Sequence, residues 1–349
     1  MKDKNFYFLT IGDAGYSRSW NYLEGLYKLG VNVEFIQLDS KNLIKSFWDV
    51  KKKTLRKDFF VIMSPSHYLV PLARIFLGKK IFLDAGWSLF EGSIISRRQM
   101  GFFGRNILKA YLIDLMASFF AKRIILESKA QKAFYCKVFL VRKKKCTVIY
   151  TGVDEAQFEL NSEFETPIDL FKNSKIVLFR GKYTAEAGLK VLAQATNLLS
   201  KEEITFWIFS PGIPKNLDFS ANTIVISNFL DSKQNLAKVY SEASLTLGQL
   251  SNHTRLRRTI PHKAYESAFL SKPYLSARTL GILELFTEDD DILCFNAGDA
   301  NDLAKKIRTY FTNICDHQRI GINMRKKYDL ELSQSELASR FLQITAGSE

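Results

Sequence analysis

Residues 257–277 read RRTIPHKAYESAFLSKPYLSA. Two arginines, a proline, a lysine and a glutamate stand just ahead of a short apolar run, at spacings that helix packing alone does not need. Pro261 suits a first helical turn, where its missing N–H costs nothing. Lys263 and Glu266 are three apart and share one face of that turn. Arg257, Arg258 and Lys263 would make a positive mouth for an anion. The Glu266 carboxylate would accept hydrogen bonds from a diol such as a ribose. The plainer alternative is a surface salt bridge between Lys263 and Glu266, worth roughly 0.2–0.5 kcal/mol. A bridge accounts for neither the proline nor the arginines.

Other stretches have chemical potential by position. GDAGYSRSW (12–20) follows an apolar run and leads into a helical pattern. Gly12 and Gly15 let the backbone turn tightly and approach a ligand. The helix start behind them offers N–H groups and partial positive charge to a phosphate or a sugar hydroxyl, or it is an ordinary strand-to-helix turn. It lacks the full G-x-G-x-x-G pattern of dinucleotide sites. In FRGKYTAEAGLKVL (179–192), Gly181 and Lys182 sit at a loop and Gly188 opens a helix. Lys182 there would neutralise a diphosphate or simply face solvent. Asp84 ends the run FLDAG, where it would bind an acceptor or sugar hydroxyl, or cap a turn. His67 follows VIMSPS and belongs to the same end of the sheet. The histidines have no metal-ligand pattern, and neither a Walker loop nor a paired-cysteine motif occurs.

These residues need a scaffold, and the chain alternates strand-like with helix-like segments. NFYFLT, NVEFIQL, DFFVIM, KKIFLDA, RIILES and CTVIYT read as strands in the first half. KIVLFRG, ITFWIFS, NTIVIS, SLTLGQ, PYLSA and DILCFN repeat the plan in the second. Short Val-, Ile- and Phe-rich runs separated by helical lengths predict parallel sheets covered on both faces. Helices are expected at about 17–29, 188–200 and 232–242, around Glu266, and at 296–312 with Asp299 near the cap. The aperiodic stretch 154–173 reads as a linker. The fold class is α/β, with two doubly wound Rossmann-like domains facing a cleft. Residues 1–165 form one and 166–332 the other, and a C-terminal helix at about 333–349 packs back on the first. Ligands in such sheets bind beyond the carboxyl ends of the strands.

Composition narrows the classes. With 46% hydrophobic and 25% charged residues the chain is globular. Its start has no signal-peptide pattern, and ILKAYLIDLMASFFAKRIIL carries four charges, so it is not expected to span a bilayer. Four scattered cysteines fit a reduced, cytoplasmic setting. The net charge of +14 is lopsided: residues 1–153 hold 27 Lys and Arg against 11 Asp and Glu. Either the basic runs are solvated faces, or the first half meets an anionic surface or partner. The segment 101–120, with Phe102, Phe103, Leu112 and Phe119, reads as a core-packing helix or as an interfacial one. The basic residues are not interleaved with aromatics as a nucleic-acid stacking platform needs, so no nucleic-acid partner is expected.

Several of these stretches, in order, resemble glycosyltransferase family 4, the group 1 glycosyltransferases of GT-B fold. VIYTGVDEAQF resembles the family's V-I-P-N-G-V-D-x-x-x-F. LFRGKYTAEAGLKVL resembles L-F-V-G-R-x-x-x-E-K-G-x-x-x-L. The opening stretch resembles R-x-I-P-x-K-x-x-E-x-x-A-x-G-K-P-V, and RTLGILELF resembles T-x-G-I-x-E-L. The resemblance implies a nucleotide-sugar donor in the second domain, an acceptor in the first and transfer with retention. It implies no cofactor and no metal. Glu266 matches the ribose-binding glutamate, Lys182 the cation at the donor diphosphate, Gly15 the first-domain loop beside it, and Glu284 the donor-pocket lining. Ala187 replaces the lysine of E-K-G, and Arg258 replaces a glutamate of many members. Arg257, Arg258 or Lys263 would then supply the missing charge.

The expectation is a retaining glycosyltransferase with Asp84, Lys182 and Arg258 as catalytic candidates. Gly15, Lys182, Arg257, Arg258, Lys263, Glu266 and Glu284 are donor-side candidates, and His67 and Asp84 acceptor-side candidates. The partners expected are a nucleotide sugar, a glycan or lipid-linked acceptor in surface polysaccharide or lipopolysaccharide synthesis, and an anionic membrane surface met peripherally. The alternative is a non-catalytic GT-B subunit that binds a glycan, a nucleotide or a partner enzyme.

Overall fold

Each of the strand-like runs becomes a strand, with ends that differ by at most three residues. The structure, a computed structural model, describes residues 5–11, 18–55, 57–92, 105–158, 175–227 and 233–346. The chain divides into two compact units, Met1–Gly152 with Leu332–Glu349, and Val153–Glu331.

The first unit is built on β1 (Asn5–Thr10), β2 (Asn32–Gln37), β3 (Phe59–Met63), β4 (Ile81–Gly86), β5 (Arg123–Leu126) and β6 (Cys146–Val148). They pair in parallel in the order β2-β1-β3-β4-β5-β6. Between them run α1 (Ser19–Lys28), α2 (Leu43–Lys53), α3 (Leu69–Leu77), the single turn α4 (Leu89–Glu91), α5 (Arg105–Phe120) and α6 (Lys129–Val138). Every residue of β3 and β4 is buried, as a sheet covered on both faces requires. Ser88 and Ser128 cap α4 and α6 through their hydroxyls, accepting from the N–H groups of Glu91 and Gln131.

The second unit begins with α7 (Glu155–Phe158). Its strands are β7 (Lys175–Arg180), β8 (Ile204–Phe209), β9 (Thr223–Ile226), β10 (Leu245–Leu247), β11 (Tyr274–Ala277) and β12 (Leu293–Phe295). They pair in parallel in the order β12-β11-β10-β7-β8-β9. The helices are α8 (Leu189–Leu198), α9 (Lys233–Glu242), α10 (His262–Phe269), α11 (Ala300–Thr312) and α12 (Ile314–Glu331). Asp299 caps α11, accepting from the N–H groups of Asn301 and Asp302. The last helix, α13 (Gln334–Ala346), returns to the first unit and packs on α1. A Cβ on Gly25 would sit 1.9 Å from the Gln334 carbonyl oxygen, so only glycine permits that approach. Phe341 stacks on Tyr22 with ring centroids 5.2 Å apart.

Strand order reverses direction at one point in each sheet. In the first unit it lies between β1 and β3, and in the second between β7 and β10. The crevice beyond the carboxyl ends of the strands at such a switch point is where doubly wound sheets take ligands.

Candidate functional site

In the second unit the switch point gathers charged side chains that are buried yet polar. Arg180 closes β7, and Gly248 follows β10. Pro261 occupies the N-cap of α10 in an extended conformation, one residue before the helix begins. The first turn of α10 then aims Lys263 and Glu266 inward, at 5% and 4% exposure. They do not make a surface bridge. The Lys263 amine donates to the Gly248 carbonyl at 2.7 Å and stands 4.0 Å over the Phe179 ring. Burial, and after it the charge of Arg180, pushes this amine well below the usual lysine range. Glu266 accepts from both arms of Arg180, with the Nε bond at 3.0 Å, and from the Tyr240 hydroxyl at 2.8 Å. Burial raises the Tyr240 phenol, and Arg180 opposes that rise.

Two loops interlock around this cluster. Gly188, the N-cap of α8, is left-handed at φ 71, and a Cβ there would lie 2.6 Å from the Ser251 nitrogen. The Leu250 N–H donates to the Ala187 carbonyl at 3.2 Å, and the Ser251 hydroxyl to the Glu186 carbonyl at 3.0 Å. Arg255 lies 3.4 Å from the buried Glu186 carboxylate. The turn Ile282–Glu284 docks on the same loop through the Gly281 N–H, which donates to Leu256. The carboxyl end of this sheet thus brings together Lys263, Glu266, Arg257, Arg258 and the turn of Glu284, with Lys182 exposed in the loop beside Gly181. Arg180 and Tyr240 were missed in the sequence. Arg180 had a signal, as a charged residue ending an otherwise apolar strand. Tyr240 had none, because its role depends on α9 packing over β7.

The first unit treats its polar residues differently, and encloses both acceptor-side candidates. Asp84 has no solvent exposure. Its carboxylate accepts from Arg18, from the Ser19 hydroxyl and from the Tyr22 hydroxyl at 2.7 Å. Arg18 also donates to the carbonyls of Ile149 and Tyr150, so Asp84 ties the start of α1 to the chain leaving β6. His67 is likewise wholly buried, in the turn before α3 rather than on it. Its Nε2 lies 3.8 Å from Asp114 Oδ1 and 3.5 Å from the Tyr135 hydroxyl. Burial pushes the imidazole down and the Asp114 carboxyl up, moving both towards their neutral forms. Enclosed side chains with protein partners such as these tie neighbouring elements together. Gly15 lies outside the described residues. Among the described residues no group of three or more His, Cys, Asp or Glu stands together as a metal site.

The chain is similar to known proteins in sequence and in fold. Residues 174–313 match the family model of the glycosyl transferases group 1. That stretch covers most of the second unit and holds every site residue placed there. An uncharacterised glycosyltransferase of Methanocaldococcus jannaschii is 24% identical over 101 residues, which is 27% of this chain and 26% of the relative. HepE of Anabaena, solved in complex with UDP and glucose, shares 13% identity at a TM-score of 0.70, covering 98% of this chain and 99% of that one. Sucrose-phosphate synthase of Thermosynechococcus elongatus, also 13% identical, has a TM-score of 0.72 over 99% of this chain and 98% of its own. Residues 174–313 are thus similar to the group 1 glycosyl transferases, and the fold of the chain is GT-B.

Proposed function

We propose that the chain transfers a sugar from a nucleoside diphosphate, with retention, to a glycan or lipid-linked acceptor in surface polysaccharide or lipopolysaccharide synthesis. One observation carries the reading. A carboxylate, Glu266, is held at the switch point by Arg180 and Tyr240, with Lys263 one helical turn before it. An ionised carboxylate has about four acceptor sites. The arginine fork and the phenol take three, which leaves one for a ribose hydroxyl.

In this reading the donor lies across the carboxyl ends of β7 and β10. Glu266 holds the ribose, and Lys182, exposed at the mouth, meets the diphosphate. Ala187 leaves the E-x-G turn without its own cation. Arg180, bidentate on Glu266, and Arg255, fixed by Glu186, are the fixed cations of those loops, with Arg257 and Arg258 on the same turn as Arg255. When the bond from the anomeric carbon to the diphosphate oxygen breaks, that oxygen takes up the electron pair. Preset cations stabilise the charge as it grows. No metal is required by this scheme. HepE was solved with UDP and glucose, which supports UDP as the first donor base to try.

The test is a thermal-shift panel with UDP, GDP, ADP and CMP and their common sugars, on the wild type and on Glu266→Ala. A shift given by one base and lost in the variant is the expected result. The absence of any shift removes the donor reading and leaves the non-catalytic subunit.

A further inference from the structure

The Lys263 amine stands at the switch point of the second unit. It lies 2.7 Å from the carbonyl oxygen of Gly248, which follows β10, and 4.0 Å over the ring of Phe179 in β7. A Cβ on Gly181, the residue after β7, would stand 3.8 Å from it. The nitrogen therefore sits between the carboxyl ends of the strands at which strand order reverses. The side chain is buried, and Gly248 takes one of its N–H donors while an ammonium has more to offer.

Among the described residues no carboxylate is paired with this amine. Glu266, one turn further along α10, is taken by both arms of Arg180 and by the Tyr240 hydroxyl of α9. Arg180, at the end of β7, is itself the charge that acts on the amine, and it repels a proton there. From β11 the Tyr274 hydroxyl lies against Gly248, and burial raises its phenol, which stays neutral. From α12, which packs on α10, Arg325 binds the Phe269 carbonyl at the other end of that helix. The amine thus meets a carbonyl, a ring face and a like charge. Enclosure without a counter-charge favours its uncharged form, and its pKa lies well below the usual lysine range. An anion that enters the crevice reverses this, because an opposite charge within about 4–6 Å favours the protonated amine.

Resting on the donor reading above, we propose that a nucleoside diphosphate sugar binds together with a proton, which Lys263 takes up as the diphosphate settles between the ends of β7 and β10. Solvent or buffer gives up the proton and the lone pair of Nζ accepts it; no bond to the donor forms or breaks. Linkage fixes the sign. Where the free amine is uncharged and the bound amine is charged, affinity falls as pH rises, by up to about tenfold per pH unit.

The test is titration calorimetry of the full chain with UDP-glucose at about pH 8, in Tris and in HEPES, whose ionisation heats differ. ADP-glucose and GDP-mannose are run in the same way. The phosphates of these donors are diesters and keep their charge in this range, so the ligand carries no proton of its own. The expected result is a binding heat that differs between the buffers in the sense of proton uptake, with a Kd that rises roughly tenfold between about pH 7 and 9. Lys263→Met should bind more weakly, with equal heats in the two buffers. Lys263→Arg, whose guanidinium is always charged, should bind with equal heats and a Kd that stays level with pH. Melting curves check that both variants fold. A donor that binds the wild type with equal heats in the two buffers overturns the inference and leaves the donor reading standing. Uptake that persists in Lys263→Met also overturns it. If none of these donors binds the wild type, the donor reading falls and the inference falls with it.

Discussion

The two units share one plan and use their carboxylates in opposite ways. Asp84 and Glu266 each belong to a switch-point unit, and each is held by an arginine and a tyrosine. Asp84 is sealed, with Arg18 binding it on one side and backbone carbonyls on the other. Glu266 shares its arginine with a mouth in which Arg180 is 18% exposed and Lys182 reaches solvent. The same pair of residue types is wholly enclosed in the first unit and has one partner touching water in the second.

The sharpest way to break this comparison is to remove both carboxylates. Asp84→Ala takes from the buried Arg18 its carboxylate partner, and should cost about 3–5 kcal/mol. Chemical denaturation should show that loss in the transition of the first unit. Sparing of stability, with activity alone abolished, would return Asp84 to the chemistry. Glu266→Ala should instead be marked by lost ligand response. At one hundred times its Kd a donor nucleotide stabilises the wild type by about 2.7 kcal/mol, and the variant should lose that shift. Arg180→Met should lose it too, whereas His67→Phe should keep it.

A smaller effect probes the interlocked loops. Gly188→Ala forces a side chain into a left-handed position against the Leu250–Ser251 backbone, at roughly 1–3 kcal/mol. Its melting transition and nucleotide shift should both fall. Lys263 gives a pH signature. Its folded pKa is depressed, so the unfolded chain binds the extra proton, and stability rises with pH up to the ordinary lysine value near 10.4. The wild type should therefore gain stability relative to Lys263→Met between neutral pH and about pH 10. A constant difference would place the amine in contact with water. The smallest effect expected is that of EDTA, which should leave sugar transfer unchanged. Loss of transfer restored by a divalent ion would give the diphosphate a metal partner.

Much of this was legible in residue order. The strands of β7 and β10 were visible as apolar runs, and the Gly181, Gly188 and Pro261 punctuation placed the loops and the start of α10. Lys263 and Glu266 were legible as a pair on one face because helical spacing is a local property. Their partners were not, since Gly248, Phe179 and Tyr240 reach them only through the sheet and α9. The enclosure of His67 and Asp84 was not legible for a related reason. Position at a strand end shows that a residue is near a ligand crevice, yet gives no sign of whether Arg18, Tyr22, Asp114 and Tyr135 close over it.

Sequence alone determined two doubly wound parallel sheets, the family motifs of the second unit, and the concentration of positive charge in the first. Each is written in local periodicity, turn residues or composition, and none needs a distant contact. Tertiary structure alone decided which carboxylate is sealed and which shares its arginine with solvent. It also decided that Arg180 holds Glu266. Burial and pairing depend on which elements pack together, and strand order brings together residues 86 apart in the chain, as with Arg180 and Glu266.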